Sequence, residues 1–289
     1  MLGRDRIEYK DGAQVLAMRA AGLVVADALG AVLDAVRPGL TTADLDSIAA
    51  EVIAGAGATP SFLGYHGYPA TICVSVNHEI VHGIPGSRVL APGDVVSVDC
   101  GAVLDGWHGD AAFSTVLSDA DPEDLALVDV TERALWAGIA ALATGDRLSE
   151  VGDAVEDVVA ASGTPYGIVQ EYVGHGIGTA MHQPPEVLNY RTHEKGTRLR
   201  PGLCVAIEPM LTRGSRMTQV LEDDWTVVTV DASRTAHWEH TVAVCPGGVW
   251  VLTAHDGGAE RLAALGVSVA PWTGGASSSG GFAATPNVP

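Results

Sequence analysis

Five residues of this 289-residue chain could together hold divalent metal and activate water: Asp99, Asp110, His175, Glu208 and Glu239. The first two lie in VVSVDCGAVLDGWHGDAAFS, two β-runs joined at Asp105-Gly106, a dipeptide that favours a two-residue hairpin turn. With that turn, Leu104 faces Trp107 and Gly101 faces Asp110. Asp99 and Asp110 then become diagonal neighbours on one face, about 7–8 Å apart at Cα, with Gly101 leaving room between them. Two carboxylates on an apolar face repel unless a cation lies between them. Read alone, the pair is equally two solvated aspartates on an outer face, and one more turn residue would separate the faces. Glu208 ends a strand stopped by Pro209, and Glu239 starts the strand Glu239-His240-Thr241-Val242-Ala243-Val244. An acid at the inner end of an apolar strand is unusual unless paired or metal-bound, although a strand-end acid reaching water is an even alternative. His175 sits in Gly174-His175-Gly176-Ile177-Gly178, where glycines let the backbone bring an imidazole close to a site. Four carboxylates and one imidazole suit a dinuclear Mn, Fe, Co or Zn centre better than a structural zinc. Two ions about 3.5–4 Å apart would require bridging carboxylates and would hold a hydroxide between them.

His78-Glu79-Ile80-Val81-His82 has the spacing of a zincin metalloprotease, but that motif works only on a helix. Here it follows the β-run Thr71–Val76 and meets Gly83-Ile84-Pro85, so residues 77–86 read as a loop that leaves His82 near a strand end.

The elements that must position these residues follow from periodicity. Helical spacing runs over Ala13–Val36 and stops at Arg37-Pro38-Gly39; Thr41 with Asp44 opens a second helix to about Gly55. Asp121-Pro122 caps a helix over Glu123–Leu142, and Ser149 caps a fourth that ends near Gly163. Short strands follow at Leu203–Ile207, Thr226–Val230, Glu239–Val244 and Val249–Leu252. The order helix, helix, strands thus occurs twice, which predicts an α+β fold with helices covering one face of an antiparallel sheet. Residues 1–10 read as a lead-in, 11–254 as the catalytic domain, and 255–289 as a Gly/Ala/Ser/Pro-rich tail, mobile or loosely docked.

Net charge is −19, which argues against DNA, RNA or anionic lipid as the main partner. Cys73, Cys100, Cys204 and Cys245 form no CxxC and suggest buried thiols in a reducing compartment. The N-terminus lacks the apolar stretch of a signal peptide, and the apolar run 20–36 is cut by Asp27 and Asp34, so no membrane span and a cytoplasmic location are expected.

With Tyr65-His66-Gly67-Tyr68-Pro69, His82-Gly83-Ile84-Pro85, Val98-Asp99 through Gly106-Trp107-His108-Gly109-Asp110, Gly174-His175-Gly176-Ile177-Gly178, Ile207-Glu208-Pro209 and Trp238-Glu239-His240-Thr241, the chain resembles the type I methionine aminopeptidases. The motifs come in the family's order over roughly residues 11–253. The resemblance implies the pita-bread fold, two pseudo-symmetric halves of paired helices around a shared curved antiparallel sheet. It implies that Asp99, Asp110, His175, Glu208 and Glu239 ligate two divalent ions (Co, Mn, Fe or Zn), with Asp110 and Glu239 bridging. It also implies that a metal-bridging hydroxide attacks the peptide carbonyl. His82 would contact substrate near the new N-terminus, His182 would hydrogen-bond the scissile carbonyl, and Glu208 would relay the proton. Phe62, Tyr65, Tyr68, Cys73, Met181 and Trp225 match pocket positions for a methionine side chain, although relatives vary at Phe62 and Met181. His66, His78, His108, His237 and His240 remain structural or surface histidines.

The implied activity is removal of the initiator methionine from new chains when the next residue is small. A monomer, meeting its substrates transiently at the ribosome, is the default expectation. The spacing from His182 to Glu208 leaves no room for the helical insertion of the type II enzymes. Two other readings stay in view: a proline-specific pita-bread peptidase, and a non-catalytic binding module of the same fold.

Overall fold

The computed structural model describes residues 7–273. Four long helices carry most of the layer that covers the sheet: α1 (Gly12–Ala35), α2 (Thr42–Gly55), α3 (Pro122–Thr144) and α4 (Ser149–Ala161). Asp11 and Gln14 form a reciprocal capping box at α1, as Thr41 and Asp44 do at α2; Asp121 caps α3 ahead of Pro122. Ser149 does not cap α4. It is the first helical residue, and the Glu150 carboxylate instead accepts the Asp146 and Arg147 N–H groups before the helix.

Among the described residues, nine strands form the main sheet. Its path runs Thr59–Pro60, Val95–Leu104, Trp107–Val116, Glu239–Cys245, Cys204–Ile207, Gly174–Gly176, Gln183–Val187, with Cys73–Val76 and Gly248–Val251 pairing beside it. The central hairpin has the register that the Asp105-Gly106 turn dictates: Leu104 faces Trp107 and Gly101 faces Asp110. Both turn residues have positive φ, 51° and 82°, which is what a tight hairpin of this twist needs. α1 and α2 pack on this hairpin through Val25, Ala28, Val32, Leu45 and Ile53, against Val96, Val98 and Cys100. The approach is close, since a Cβ on Gly109 would lie 2.8 Å from the Gly22 backbone. α3 and α4 cover the strands of the second half through Leu135, Ile139 and Val151, against Val205, Ile207 and Val242. This is the α+β, pita-bread arrangement expected from the twofold helix–helix–strand order.

Length and composition alone would let α1 cross a membrane, yet its Val15, Met18, Ala21, Val25, Ala28 and Val32 are buried inside the protein. The four cysteines are free and buried.

Two expectations change. Residues 77–86 are not all loop: Glu79–Val81 is a strand paired with Val227–Thr229, set off by positive φ at Asn77 and His82. The segment after His255 is docked as far as it is described. Ala259–Ala264 forms α5 with Leu262 wholly buried, while Val267, Val269, Ala270 and Trp272 pack onto the two core clusters beneath. Five apolar side chains in a Gly-rich stretch suffice to hold it down. The rest of the expected tail, 274–289, lies outside the described residues.

Candidate metal and peptide site

One row across three strands builds the floor. Asp99 is registered with Ala112, and Ala112 with Glu239, so the two acids point to the same face with a small residue between them. Asp110 lies two residues before Ala112 and shares that face. Its backbone is fixed by Thr241, whose hydroxyl donates to the Asp110 carbonyl (2.8 Å) and accepts from its N–H (3.0 Å). Glu208 follows directly after Ile207, the last registered partner of His240, which brings it beside Glu239. Asn189 holds this strand end by donating to the Glu208 carbonyl at 3.0 Å. His175 comes from the neighbouring strand, where the ladder is irregular between His175 and Gly176; its Nε2 lies 3.5 Å from Glu208 Oε1.

The space expected over Gly101 is used differently. A Cβ there would lie 2.8 Å from the Phe62 ring and from Ser61, so the missing side chain seats the aromatic wall directly against the floor.

That wall completes a single cavity. Its lining includes all thirteen expected site residues: Phe62, Tyr65, Tyr68, Cys73, His82, Asp99, Asp110, His175, Met181, His182, Glu208, Trp225 and Glu239. Tyr68 packs edge-on against Trp225 (5.0 Å between ring centres) and Phe62 (6.5 Å), and its hydroxyl donates to the Ile72 and Gly83 carbonyls. Trp225 is presented by a turn in which the Asp223 carboxylate accepts the Trp225 and Thr226 N–H groups. His82, in the left-handed region at φ 60°, projects between Tyr172 and Trp225. His182 stacks near His175 at 4.3 Å, and its Nδ1 is 2.9 Å from the Tyr65 hydroxyl.

His66, Val81, Tyr172, Val173 and Met210 also line the cavity and were not foreseen as pocket residues. Met210 was within reach of sequence reasoning, because an extended chain puts residues 208 and 210 on one side. Tyr172 and Val173 carried no signal beyond standing next to the Gly174-His175 motif. Of the other histidines, His108 and His240 use a ring nitrogen on Ser61 and Thr253, while His237 is buried 3.9 Å from Glu239 Oε2.

The electrostatics of the floor call for a cation. Among the described residues, the ion-pair partners of these four acids are imidazoles only, and burial pushes His175 and His237 down to about 3, so both are neutral. Burial raises Asp99 to about 7, and burial with mutual repulsion raises Asp110, Glu208 and Glu239 well above the usual carboxylate range. Asp99 Oδ1, Asp110 Oδ1 and Glu239 Oε1 are sealed from solvent with no hydrogen-bond partner. Donor atoms of Asp110, His175 and Glu239 fall within 4.8 Å of one another. Buried, orphaned oxygens grouped around a neutral imidazole fit hard divalent ions and fit little else.

Residues 17–246 match the model of metallopeptidase family M24. The chain belongs to that family. It is 52% identical over 256 residues to methionine aminopeptidase 1 of Mycobacterium tuberculosis (strain CDC 1551), covering 87% of this chain and 96% of the relative. The crystal structure of the Thermotoga maritima methionine aminopeptidase superposes with a TM-score of 0.83 at 39% identity, over 86% of this chain and all of that one. Prolidase from Pyrococcus furiosus shares the fold alone, with a TM-score of 0.68 at 18% identity over 85% of this chain and 65% of that one. An M24 chain with this floor is a metal-binding hydrolase, and the aromatic wall beside the floor sets its candidate specificity.

Proposed function

We propose that the protein is a methionyl aminopeptidase that uses two divalent ions, Co, Mn, Fe or Zn, held by Asp99, Asp110, His175, Glu208 and Glu239. The observation that carries this reading is the meeting, in one cavity, of that acid floor with an apolar wall of Phe62, Tyr65, Tyr68, Cys73, Met181 and Trp225. Family membership and 52% identity to a methionine aminopeptidase support it.

When bound, the ions would supply a nucleophile at neutral pH and polarise the scissile carbonyl. Asp110 and Glu239, on adjacent strands and one face, would hold the ions together with His175, whose donor atom lies within 4.8 Å of theirs. Glu208, at the end of its strand, carries the proton to the leaving amine. His182 donates from Nε2 to the carbonyl oxygen while its Nδ1 is held by Tyr65, which aims the donor at charge that develops during reaction. His82 is neutral in the working range, because burial near His182 lowers it to about 4, and it hydrogen-bonds substrate near the new N-terminus. Phe62, Tyr65, Tyr68, Cys73, Met181 and Trp225 receive the methionine side chain, where sulfur against aromatic rings is favourable. The substrate is the N-terminal methionine of nascent polypeptides. The protein acts as a cytoplasmic monomer that meets them transiently at the ribosome.

The test is a three-peptide assay with Mn- or Co-loaded protein. Methionine should be released from Met-Ala-Ser and not from Met-Lys-Ser or Xaa-Pro peptides. Cleavage of Xaa-Pro instead would make it a proline-specific peptidase, and silence with every ion would leave a binding module.

A further inference from the structure

The turn that carries Met181 and His182, residues 178–183, has little structure of its own: Thr179, Ala180 and His182 are exposed, while Gly178 and Met181 are buried. From within, its backbone is closed by the Gly178 N–H to Ala180 carbonyl bond (3.1 Å), and the His108 N–H holds the Gly178 carbonyl at 2.9 Å from one side. What brackets it comes from more than 170 residues away in sequence.

The Glu8 carboxylate accepts the Thr179 N–H (3.2 Å) and the Thr179 hydroxyl (2.9 Å). The Lys10 ammonium, 1% exposed, pairs with Glu8 Oε2 at 3.3 Å, donates to the Glu8 carbonyl at 3.0 Å and reaches Gln183 Oε1 at 3.4 Å. Gln183 in turn donates to the Thr179 hydroxyl at 3.3 Å, which closes a ring of polar contacts around both ends of the turn. Lys10 is itself pinned, its N–H donating to the Gly202 carbonyl at 2.8 Å. Gly178 has no space for a side chain, because a Cβ there would run into Glu8 Oε2 and the end of Lys10.

Composition adds a second observation. The chain holds fourteen arginines and only two lysines, Lys10 and Lys195. A lysine ammonium is a compact charge with three donors, and here it meets three acceptors, Glu8 Oε2, the Glu8 carbonyl and Gln183 Oε1. Burial opposes ionisation of Glu8, but the bonds from Gln183 and Thr179 and the Lys10 charge outweigh it and hold Glu8 at about 2.

We infer that Glu8 and Lys10 are positioning residues for the proposed peptidase reaction: they latch the 178–183 turn so that Met181 walls the pocket and His182 faces the scissile carbonyl. The inference rests on the role proposed for His182. Neither residue lines the cavity, so both act through the turn.

The experiment compares wild type, Glu8→Gln, Lys10→Met and His182→Ala, all Mn-loaded. Steady-state kinetics on Met-Ala-Ser, Mn affinity by calorimetry and amide hydrogen exchange are measured for each. Glu8→Gln keeps the shape and removes the charge; it should lower kcat about 3–10-fold with Mn affinity unchanged, and raise exchange at residues 179–183 by tenfold or more. Lys10→Met should do the same more strongly, and the double variant should be no worse than Lys10→Met, since the pair acts as one unit. Unchanged exchange in Glu8→Gln overturns the latch. Faster exchange with unchanged kcat and KM overturns its positioning role and leaves only a structural tie. If Lys10→Met fails to fold, Glu8→Gln and Thr179→Val decide by the same readouts. His182→Ala separates the underlying reading: full activity there removes the assigned role of His182, while the exchange data still report whether the latch holds the turn.

Discussion

The floor and the wall of the cavity are built by opposite means. The floor is built on a regular hairpin: two ten-residue strands paired along their whole length, with Asp99, Ala112 and Glu239 in one registered row. Its polar atoms are poorly satisfied, three buried carboxylate oxygens having no partner. The wall is irregular, made of turns and strand ends with several residues at positive φ, yet its polar atoms are well placed, as the two bonds of the Tyr68 hydroxyl show. Regular backbone with unmet charge makes a place for ions, whereas irregular backbone with satisfied polar groups makes a shaped slot. Two of the wall's histidines, His66 and His82, stand in the left-handed region, and the paired strands beneath support them.

The comparison breaks most sharply at the floor. Asp99→Asn should abolish metal binding by calorimetry and lower kcat/KM by at least about 10³-fold, while circular dichroism shows a folded chain whose metal-free Tm is unchanged or higher. Loss of fold would mean that the acid is structural. Next comes His182→Ala, expected to lower kcat by about 10²-fold with Mn affinity intact, in the range of a lost oxyanion donor.

A third test uses pH. The floor carboxyls titrate higher in the folded chain than in the unfolded one, where they follow ordinary values near 4. The native state therefore holds protons that the unfolded state has released, and stability falls as pH rises. The buried histidines are lowered and have the opposite sign, but their contribution is complete once the unfolded imidazoles are neutral, above about 6.5. From about pH 6.5 upward, through the range in which the raised carboxyls give up their protons, the chelated protein should thus lose thermal stability, with a limiting slope of about 1.4 kcal/mol per pH unit for each proton released. Metal-loaded protein should show a flat profile, and chelation at pH 8 should lower its Tm. A flat chelated profile would mean that the acids ionise freely. The smallest effect belongs to the wall: Met181→Ala should raise KM for Met-Ala-Ser about tenfold or less, leave Mn affinity alone and admit bulkier first residues, read from a peptide panel.

The same contrast governs what could be read from sequence. Asp105-Gly106 fixed the hairpin register residue by residue, because a two-residue turn admits one pairing and side chains alternate strictly. Caps at Thr41 and Asp121 were legible for the same local reason. Glu79–Val81 was missed, since three residues between two positive-φ positions leave no periodicity, and its partner lies more than 140 residues away. The docked segment 259–272 was misread because its composition hides five apolar anchors among small residues. Tyr172 entered the cavity through tertiary placement alone.

Arg19 has a consequence for motion. From α1 of the first half its guanidinium donates to the carbonyls of Val251, Leu252, Ala254 and His255 in the second. A rivet of four bonds, set behind a sheet that already runs unbroken across the seam, opposes any jaw-like swing of the halves. Passage of a peptide therefore calls for no gap to open between them, and acids contributed by the two halves keep their spacing while it passes.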